Sequence, residues 1–289
     1  MTSAPTVLTD HFNSIASRYD VVLSDVWGVV HNGVEATASA ADALTRFRQQ
    51  GGFVMLISNA PRPGEWVLHH LDKLGVPRTA YDGIITSGDV TREFIASRPD
   101  VSAHHVGPQR DRNIFDGLNF RFAPVESAEY VVCTGLFDDE TETPEHYRDL
   151  IGAMRKRDLL MVCANPDLVV ERGEKLVYCA GAIADLYATE GGKVLYAGKP
   201  HRKIYEDALA KIEAARGRAA PLDRVLAIGD SVRTDLKGAT SAGIDCLFVT
   251  GGIHAEELGH RDDPDLGVLE EILVKAGLKP RAITRRLAW

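Results

Sequence analysis

The segment VVLSDVWGVVHNG, residues 21–33, decides the fold of this chain. An apolar run with one serine leads directly to Asp25, which predicts a buried strand that presents a carboxylate at its end. Gly28 follows three residues later, and the bulky Trp27 stands between them. Because ligands of open α/β sheets bind in the crevice at the carboxyl ends of the strands, Asp25 is a candidate functional residue.

Apolar runs alternate with helical patterns along the rest of the chain, which predicts an α/β fold with a mostly parallel, doubly wound sheet. Strands are predicted at FVMLIS (53–58) and RVLAIGD (224–230), and helices at 37–50 and 201–217. A length of 289 residues suggests about two domains.

The composition and charge of the chain indicate which partners and which cellular compartment to expect. A formal net charge of −8 argues against nucleic acid or an anionic membrane as the main partner. No apolar run approaches the roughly 18–20 residues that span a bilayer, and residues 1–20 lack the basic and apolar regions of a secretory signal. The four cysteines are scattered without metal-binding spacing, so we expect buried free thiols and a reducing, cytoplasmic location.

Polar side chains stand where three of the predicted strands end, at Asp25, Ser58 and Asp230. Each of them alone could be an ordinary turn residue, since Asp, Ser and Gly are common after strands. In the segment LAIGDSVRTDLKGA, however, Asp235 follows Asp230 one turn into the next helix. These two carboxylates, with Asp25 across the crevice, form an all-oxygen set suited to Mg²⁺. Lys199 precedes another helix, and from there it could neutralise a phosphate or the nucleophile.

The order of Asp25-x-x-Gly, LISN (56–59), GKP (198–200) and GDSVRTD (229–235) resembles the four motifs of the haloacid dehalogenase (HAD) superfamily. The long insertion between the second and third motifs, with ANPD at 164–167, resembles the class IIA, NagD-like subgroup, which carries a C2 cap. The resemblance implies a Rossmann-like core at 1–87 and 191–289, with an α/β cap domain inserted at 88–190.

The resemblance also implies a role for each matching residue. Asp25 would be the nucleophile and a metal ligand, and Lys199 would hold Asp25 and the phosphate in place. Phosphate would also contact the Ser58 hydroxyl and the backbone N–H groups at Asn59. The remaining implied contacts are to Mg²⁺, through the Trp27 carbonyl, Asp230 and the waters oriented by Asp235, and to substrate, through Asn165 and Asp167 of the cap.

Trp27 departs from the pattern of the family's phosphatases, which carry a second Asp at this position. Its carbonyl can still bind a metal, but the indole cannot donate or accept the proton that the Asp carboxyl transfers. General acid–base catalysis contributes about 10²–10⁴ in rate, so hydrolysis of alkyl phosphates should suffer unless another group substitutes. His31 is the nearest candidate, although a local hydrogen bond within its loop is the simpler interpretation. His254 is expected to begin a helix.

The leading hypothesis is a Mg²⁺-dependent HAD phosphohydrolase that acts on a small phosphorylated metabolite through an aspartyl phosphate. One alternative is a dehalogenase-like hydrolase, because haloacid dehalogenases carry an aromatic residue at the Trp27 position. A second alternative is a non-catalytic module that binds a phosphorylated ligand. A homodimer is compatible with the sequence. The C-terminal KPRAITRRLAW should fold back as an edge element or dock on a partner.

Overall fold

The computed structural model describes residues 7–173 and 175–289. In chain order the strands are β1 Val7–Leu8, β2 Val21–Ser24, β3 Phe53–Ser58, β4 Gly83–Thr86, β5 Ser102–Val106, β6 Arg121–Phe122, β7 Tyr130–Cys133, β8 Leu160–Cys163, β9 Val169–Arg172, β10 Lys175–Tyr178, β11 Lys193–Tyr196, β12 Val225–Gly229, β13 Asp245–Val249 and β14 Ala282–Thr284. The α-helices are α1 Asn13–Ala16, α2 Ala38–Gln49, α3 Gly64–Lys73, α4 Ser87–Ala96, α5 Arg148–Lys156, α6 Ala180–Thr189, α7 Arg202–Arg216, α8 Lys237–Ala242 and α9 Leu266–Ala276. Short 3₁₀ segments span Arg78–Ala80, Gln109–Phe115, Pro144–Tyr147 and Leu222–Arg224, and a π-helical turn spans Val232–Leu236.

The larger sheet has seven strands in the order β1-β14-β13-β12-β2-β3-β4, and every pairing in it is parallel. β2 lies between β12 and β3, and all four of its residues are buried. Successive side chains of a strand point to opposite faces, so Val22 packs with Leu44 of α2 while Leu23 packs with Ile204 of α7. This two-sided burial explains the continuous apolar run before Asp25, and it confirms the predicted doubly wound α/β core.

The inserted segment forms a second parallel sheet of five strands, in the order β11-β8-β7-β5-β6. Ile151 of α5 and Ile183 of α6 belong to one apolar cluster of this lobe, and Ile95 and Phe115 belong to another. An antiparallel hairpin, β9–β10, follows β8. We call this lobe, with its hairpin, the cap. A cap is the architecture that the sequence predicted.

Two elements do not follow the predicted domain boundaries. Apart from these two elements, the division into core and cap at those boundaries stays a prediction. The sequence analysis ended the cap at residue 190, but β11 is hydrogen-bonded to β8 in the cap sheet. The sequence analysis assigned this strand to the core because its short apolar pattern before Lys199 does not differ from that of a core strand. The other element is α4, whose Val90 packs in the core while Ile95 packs in the cap.

The C-terminal segment folds back onto the core, which was one of the two alternatives drawn from the sequence. β14 pairs with both β13 and β1, so it lies one strand in from the edge of the sheet. Trp289 is half-buried, and its ring packs edge-on against Phe12 at 5.8 Å between centroids. α6, the hairpin and α9 were not predicted as elements.

Two compositional expectations can be compared with the structure. All four cysteines are free and buried, as predicted. Among the described residues, no helix combines the length and the apolar character needed to cross a membrane.

Replacing Trp289 by Ala should lower the free energy of unfolding by about 2 kcal/mol, because a half-buried indole loses its contact with Phe12. Denaturant unfolding measures this change. Val274→Ala is the matched control: Val274 is 74% exposed, so its truncation should stay within about 0.5 kcal/mol of the wild type. Equal stability of both variants would show that the tail contributes nothing to the core.

Candidate active site

Three adjacent strands of the core sheet deliver polar groups to one edge. In the sheet, β2 lies between β3 and β12. β2 leads to Asp25, β3 ends at Ser58 and β12 leads to Asp230. Because the three strands are parallel, their carboxyl ends lie side by side. The convergence that the sequence predicted for these residues is therefore present in the fold.

Asp25, Asp230 and Asp235 form a buried carboxylate cluster. One oxygen from each residue lies within 4.8 Å of the others. Burial, together with the charge of Asp235, raises the pKa of Asp25 well above its usual range and that of Asp230 to about 7. Such mutual repulsion is relieved by a cation between the oxygens, and an all-oxygen donor set is what Mg²⁺ prefers. The residues present thus fit the predicted metal.

Lys199 supplies a single positive charge inside this cluster. Its side chain is 2% exposed, and Nζ donates to Asp25 Oδ1 at 2.5 Å and to Asp235 Oδ1 at 2.7 Å. Burial alone would lower the pKa of this ammonium, but Asp235 and Asp25 outweigh it and raise the pKa well above its usual range. The cluster thus sets three carboxyl groups against one ammonium, and a divalent cation would compensate the excess of acidic groups.

Two glycines allow the backbone to approach these carboxylates. A Cβ atom at Gly28 would lie 2.0 Å from Asp230 Oδ2, and the φ angle of +90° there also disfavours other residues. A Cβ atom at Gly229 would lie 2.1 Å from Cγ of Asp235. The Gly of the first motif is therefore required by the position of Asp230, a residue 202 positions further along the chain.

Asn59 connects the core to the loop of Lys199 and to the cap. Its Oδ1 accepts from the Lys199 backbone N–H at 2.7 Å, and its Nδ2 donates to Asp167 Oδ1 at 2.9 Å. The side chain of Asn59 is thus used for positioning, and only its backbone remains for the predicted phosphate contact. Ser58 is buried, and its Oγ accepts from the Ala60 N–H at 3.2 Å.

Trp27 reaches from the core to the cap hairpin. Its Nε1 donates to the Glu171 carbonyl at 2.6 Å, and its ring lies edge-on to His31 at 5.0 Å between centroids. The sequence analysis considered the Trp27 carbonyl as a metal ligand and the proton chemistry that the indole lacks, and it did not foresee this contact. Buried indole N–H groups usually find an acceptor, so the sequence held a general signal, but it did not identify the partner.

His31 makes the local hydrogen bond that was the simpler interpretation of its role. Its Nδ1 accepts from the Gly33 N–H at 2.8 Å. Burial, with a smaller effect from His70, lowers the pKa of His31 to about 4. A neutral imidazole with one nitrogen already engaged is poorly suited to protonate a leaving group near pH 7, so the structure disfavours His31 as the substitute acid.

The prediction for His254 was wrong, because this residue lies in a series of turns rather than at the start of a helix. Its Nε2 accepts from the Val232 N–H at 3.2 Å, and its Nδ1 lies 2.9 Å from Glu257 Oε2. His254 therefore supports the segment that carries Asp235.

Two cavities that share lining residues lie at the junction of core and cap. The smaller, of about 60 Å³, is lined by the carboxylate cluster, Lys199, Ser58, Asn59 and Asp167. The larger, of about 290 Å³, also borders Ser58 and Asp167 and includes Asn165. Asp167 thus faces the Asp25 crevice as expected, whereas Asn165 lines only the larger cavity and accepts from the Asp167 N–H at 3.1 Å.

Comparison with known proteins identifies the family. A family model for haloacid dehalogenase-like hydrolases matches residues 22–121, and a HAD-hydrolase-like model matches residues 196–275. A crystal structure of a haloacid dehalogenase-like hydrolase from Brucella suis is 45% identical, with a TM-score of 0.87, and the match covers 97% of this chain and 100% of that one. The chain belongs to the haloacid dehalogenase-like hydrolase family.

Relatives with specific names are more distant. D-glycerol 3-phosphate phosphatase of Mycobacterium tuberculosis is 30% identical over 84% of this chain. The match spans 66% of the length of that protein, just under two thirds. A glycerol phosphate phosphatase from the same organism, solved in complex with magnesium, is 27% identical with a TM-score of 0.62, covering 83% of this chain and 70% of that one. Ribonucleotide monophosphatase NagD of Escherichia coli is 24% identical, covering 80% of this chain and 88% of that protein.

The buried His31 makes stability depend on pH. Its pKa of about 4 in the folded protein lies below the ordinary value of 6.5, so the unfolded chain binds more protons between these limits and stability should fall as pH drops through this window. Between pH 6.5 and pH 4, the free energy of unfolding of His31→Asn should decrease by about 2–3 kcal/mol less than that of the wild type. Unfolding in denaturant at several pH values measures the difference.

His69→Asn is the control for this prediction, because His69 is exposed on the same helix, α3, that carries His70. Its stability should follow the wild-type pH profile. A His31 variant with that same profile would contradict the assignment of a neutral, buried imidazole.

Proposed function

We propose that this protein is a Mg²⁺-dependent phosphohydrolase that cleaves small phosphorylated metabolites through an aspartyl phosphate on Asp25. The observation that carries the proposal is the buried set of Asp25, Asp230 and Asp235 around the Lys199 ammonium. The relatives named as phosphatases support it, as does the magnesium complex of one of them.

The metal would be held by Asp25, the Trp27 carbonyl and Asp230, with Asp235 orienting coordinated waters. Trp27 and all three carboxylates line the same small cavity. When bound there, Mg²⁺ would neutralise charge on the phosphoryl oxygens and orient the phosphate.

Asp25 would act as the nucleophile. One of its carboxylate oxygens would form a bond to phosphorus while the ester P–O bond breaks, and the electron pair of that bond would leave with the alcohol oxygen. Water would then attack phosphorus, release phosphate and regenerate Asp25. Lys199, already 2.5 Å from Asp25, would orient this carboxylate and the phosphate, and the Ser58 hydroxyl and Asn59 backbone would contact the phosphoryl oxygens.

Asp167 and Asn165 would contact the part of the substrate beyond the phosphate. Both lie in the cap segment between β8 and β9 and line the larger cavity. The hydrogen bond from Asn59 to Asp167 would couple this contact to the phosphate site.

The three carboxylates argue against the dehalogenase alternative. A metal-free site for an anionic haloacid would be weakened by Asp230 and Asp235, because two additional buried negative charges repel such a substrate. Trp27 favours the other alternative, a module that binds a phosphorylated ligand without turnover, and the leaving-group experiment below separates it from a phosphatase.

Millimolar MgCl₂ should raise the thermal unfolding temperature of the wild type, because a cation that binds only the folded state stabilises it by about 2.7 kcal/mol at 100 times its Kd. Asp230→Asn should lose most of this shift and about 10²–10³-fold in phosphatase activity. Asp263→Asn, which changes an exposed carboxylate, should behave as the wild type. An equal Mg²⁺ shift in all three proteins would contradict the metal site.

If Trp27 removes only proton transfer, aryl and acyl phosphates should be cleaved well and alkyl phosphates poorly. An aryl oxide leaves as a stabilised anion, whereas an alkoxide requires a proton, so we expect a difference of about 10²–10⁴ in kcat/KM for substrates of matched size. An initial burst of product would indicate that the aspartyl phosphate accumulates.

Equal kcat/KM values for aryl and alkyl phosphates would show that another group supplies the proton. Mg²⁺-independent halide release from a haloacid would identify a dehalogenase. Binding of every phosphate without turnover would identify a non-catalytic module.

A further inference from the structure

The larger cavity, of about 290 Å³, would receive the part of the substrate beyond the phosphate, and its lining indicates the chemistry of that part. It shares Trp27, Ser58 and Asp167 with the smaller cavity that contains Asp25. A phosphate held beside Asp25 would therefore direct the rest of its ester into this space. Its volume is at the lower end of the roughly 300–1,000 Å³ typical of small-molecule sites, so it has room for a leaving group of one or two rings.

The walls of this cavity are rich in aromatic side chains from both lobes. Trp66 on α3 of the core is 47% exposed, and Tyr178 at the end of the cap hairpin is 42% exposed. The rings of Trp27 and His31 lie edge-on to each other, with 5.0 Å between their centroids. The His70 ring lies edge-on to that of His31, with 5.5 Å between centroids. Exposed aromatic rings at a cavity gain by covering another flat apolar surface.

Each arginine that lines the cavity is ion-paired with an aspartate of the same lining. Arg62 is paired with Asp111 at 3.0 Å, and Arg110 and Arg172 share Asp139 at 2.5 and 2.6 Å. With Asp167, the lining has three arginines and three aspartates.

Two histidines, His31 and His70, also line the cavity. Burial lowers the pKa of both His31 and His70, so these imidazoles are neutral near pH 7. The arginines, which are the cations of the lining, are thus already engaged with carboxylates of the protein.

We propose that this cavity is the leaving-group site, and that it selects phosphate monoesters whose alcohol carries a planar aromatic ring and no further negative charge. The proposal rests on the function proposed above, which it makes specific. Trp66 and Tyr178 would contact the ring. Because the arginines of the lining are already paired with aspartates, a second anionic group of a bisphosphate or a carboxylated ester would be disfavoured.

The test compares 2-phenylethyl phosphate with n-propyl phosphate in the presence of Mg²⁺. Both release a primary alkoxide, so a difference between them reports recognition of the ring rather than leaving-group basicity. We expect kcat/KM to be at least about 10-fold higher for the phenylethyl ester, and a para-carboxylated phenylethyl ester to lose most of that advantage.

Variants of the cavity lining test which residues recognise the aromatic ring. Trp66→Ala and Tyr178→Ala should each lower the phenylethyl-to-propyl ratio by about 3- to 10-fold, and Trp66→Phe should restore most of it. Phe122→Ala is the control, because Phe122 is a comparably exposed aromatic residue of the cap that lies outside the cavity. Its ratio should equal that of the wild type.

Equal wild-type values for the two esters, or a preference that neither Trp66→Ala nor Tyr178→Ala reduces, would overturn the proposal. Failure of the proposed function is distinguishable, because then neither the phosphate esters nor the acyl phosphate acetyl phosphate is hydrolysed. In that case calorimetry with Mg²⁺ decides: tighter binding of the phenylethyl ester that Trp66→Ala weakens supports the site, and equal binding of both esters overturns it.

Discussion

The contact of the Lys199 ammonium with Asp25 and Asp235 is the interaction on which the rest of the site depends. All three groups are buried, and three carboxylates in so small a volume would otherwise repel one another. Removing one partner of a buried ion pair typically costs about 3–5 kcal/mol, because the remaining charge stays buried without compensation. Lys199 therefore stabilises the cluster and at the same time leaves it negative enough to attract a divalent cation.

The position of Lys199 also couples the two lobes. It follows β11, a strand of the cap sheet, yet its side chain lies among residues at the ends of core strands. Asn59 bonds to the Lys199 backbone and to Asp167, and Trp27 bonds to the Glu171 carbonyl of the cap hairpin. The charged centre thus lies at the junction where a substrate would be enclosed, and Trp27 contributes a structural contact where a carboxyl would contribute proton transfer.

The discrepancies between prediction and structure have a common cause. A strand pattern shows that a segment is extended and buried, but it does not show which sheet contains the segment, and so β11 was placed with the core. His254 follows a core strand in the sequence as Asp25 and Asp230 do, but the chain there forms turns, and the imidazole supports the Val232 backbone. The sequence left open whether the C-terminal segment folds back or docks on a partner, because the contact of Trp289, Phe12, is far away in sequence.

The sequence by itself determined the α/β core, the presence of an inserted lobe and the residues that can form a phosphate and metal site. These features depend on local patterns: apolar runs that end in Asp25, Ser58 and Asp230, and motifs in a fixed order. Only the tertiary structure decided which partners these residues have, including the double ion pair of Lys199 and the bond from Trp27 to the cap. It also decided the aromatic lining of the larger cavity and the ion pairs of its arginines. The physical reason is that hydrophobic periodicity acts over a few residues. The bonds of Lys199 and Trp27 join positions that are 36, 144 and 174 residues apart, and their proximity depends on how the strands and the two sheets pack.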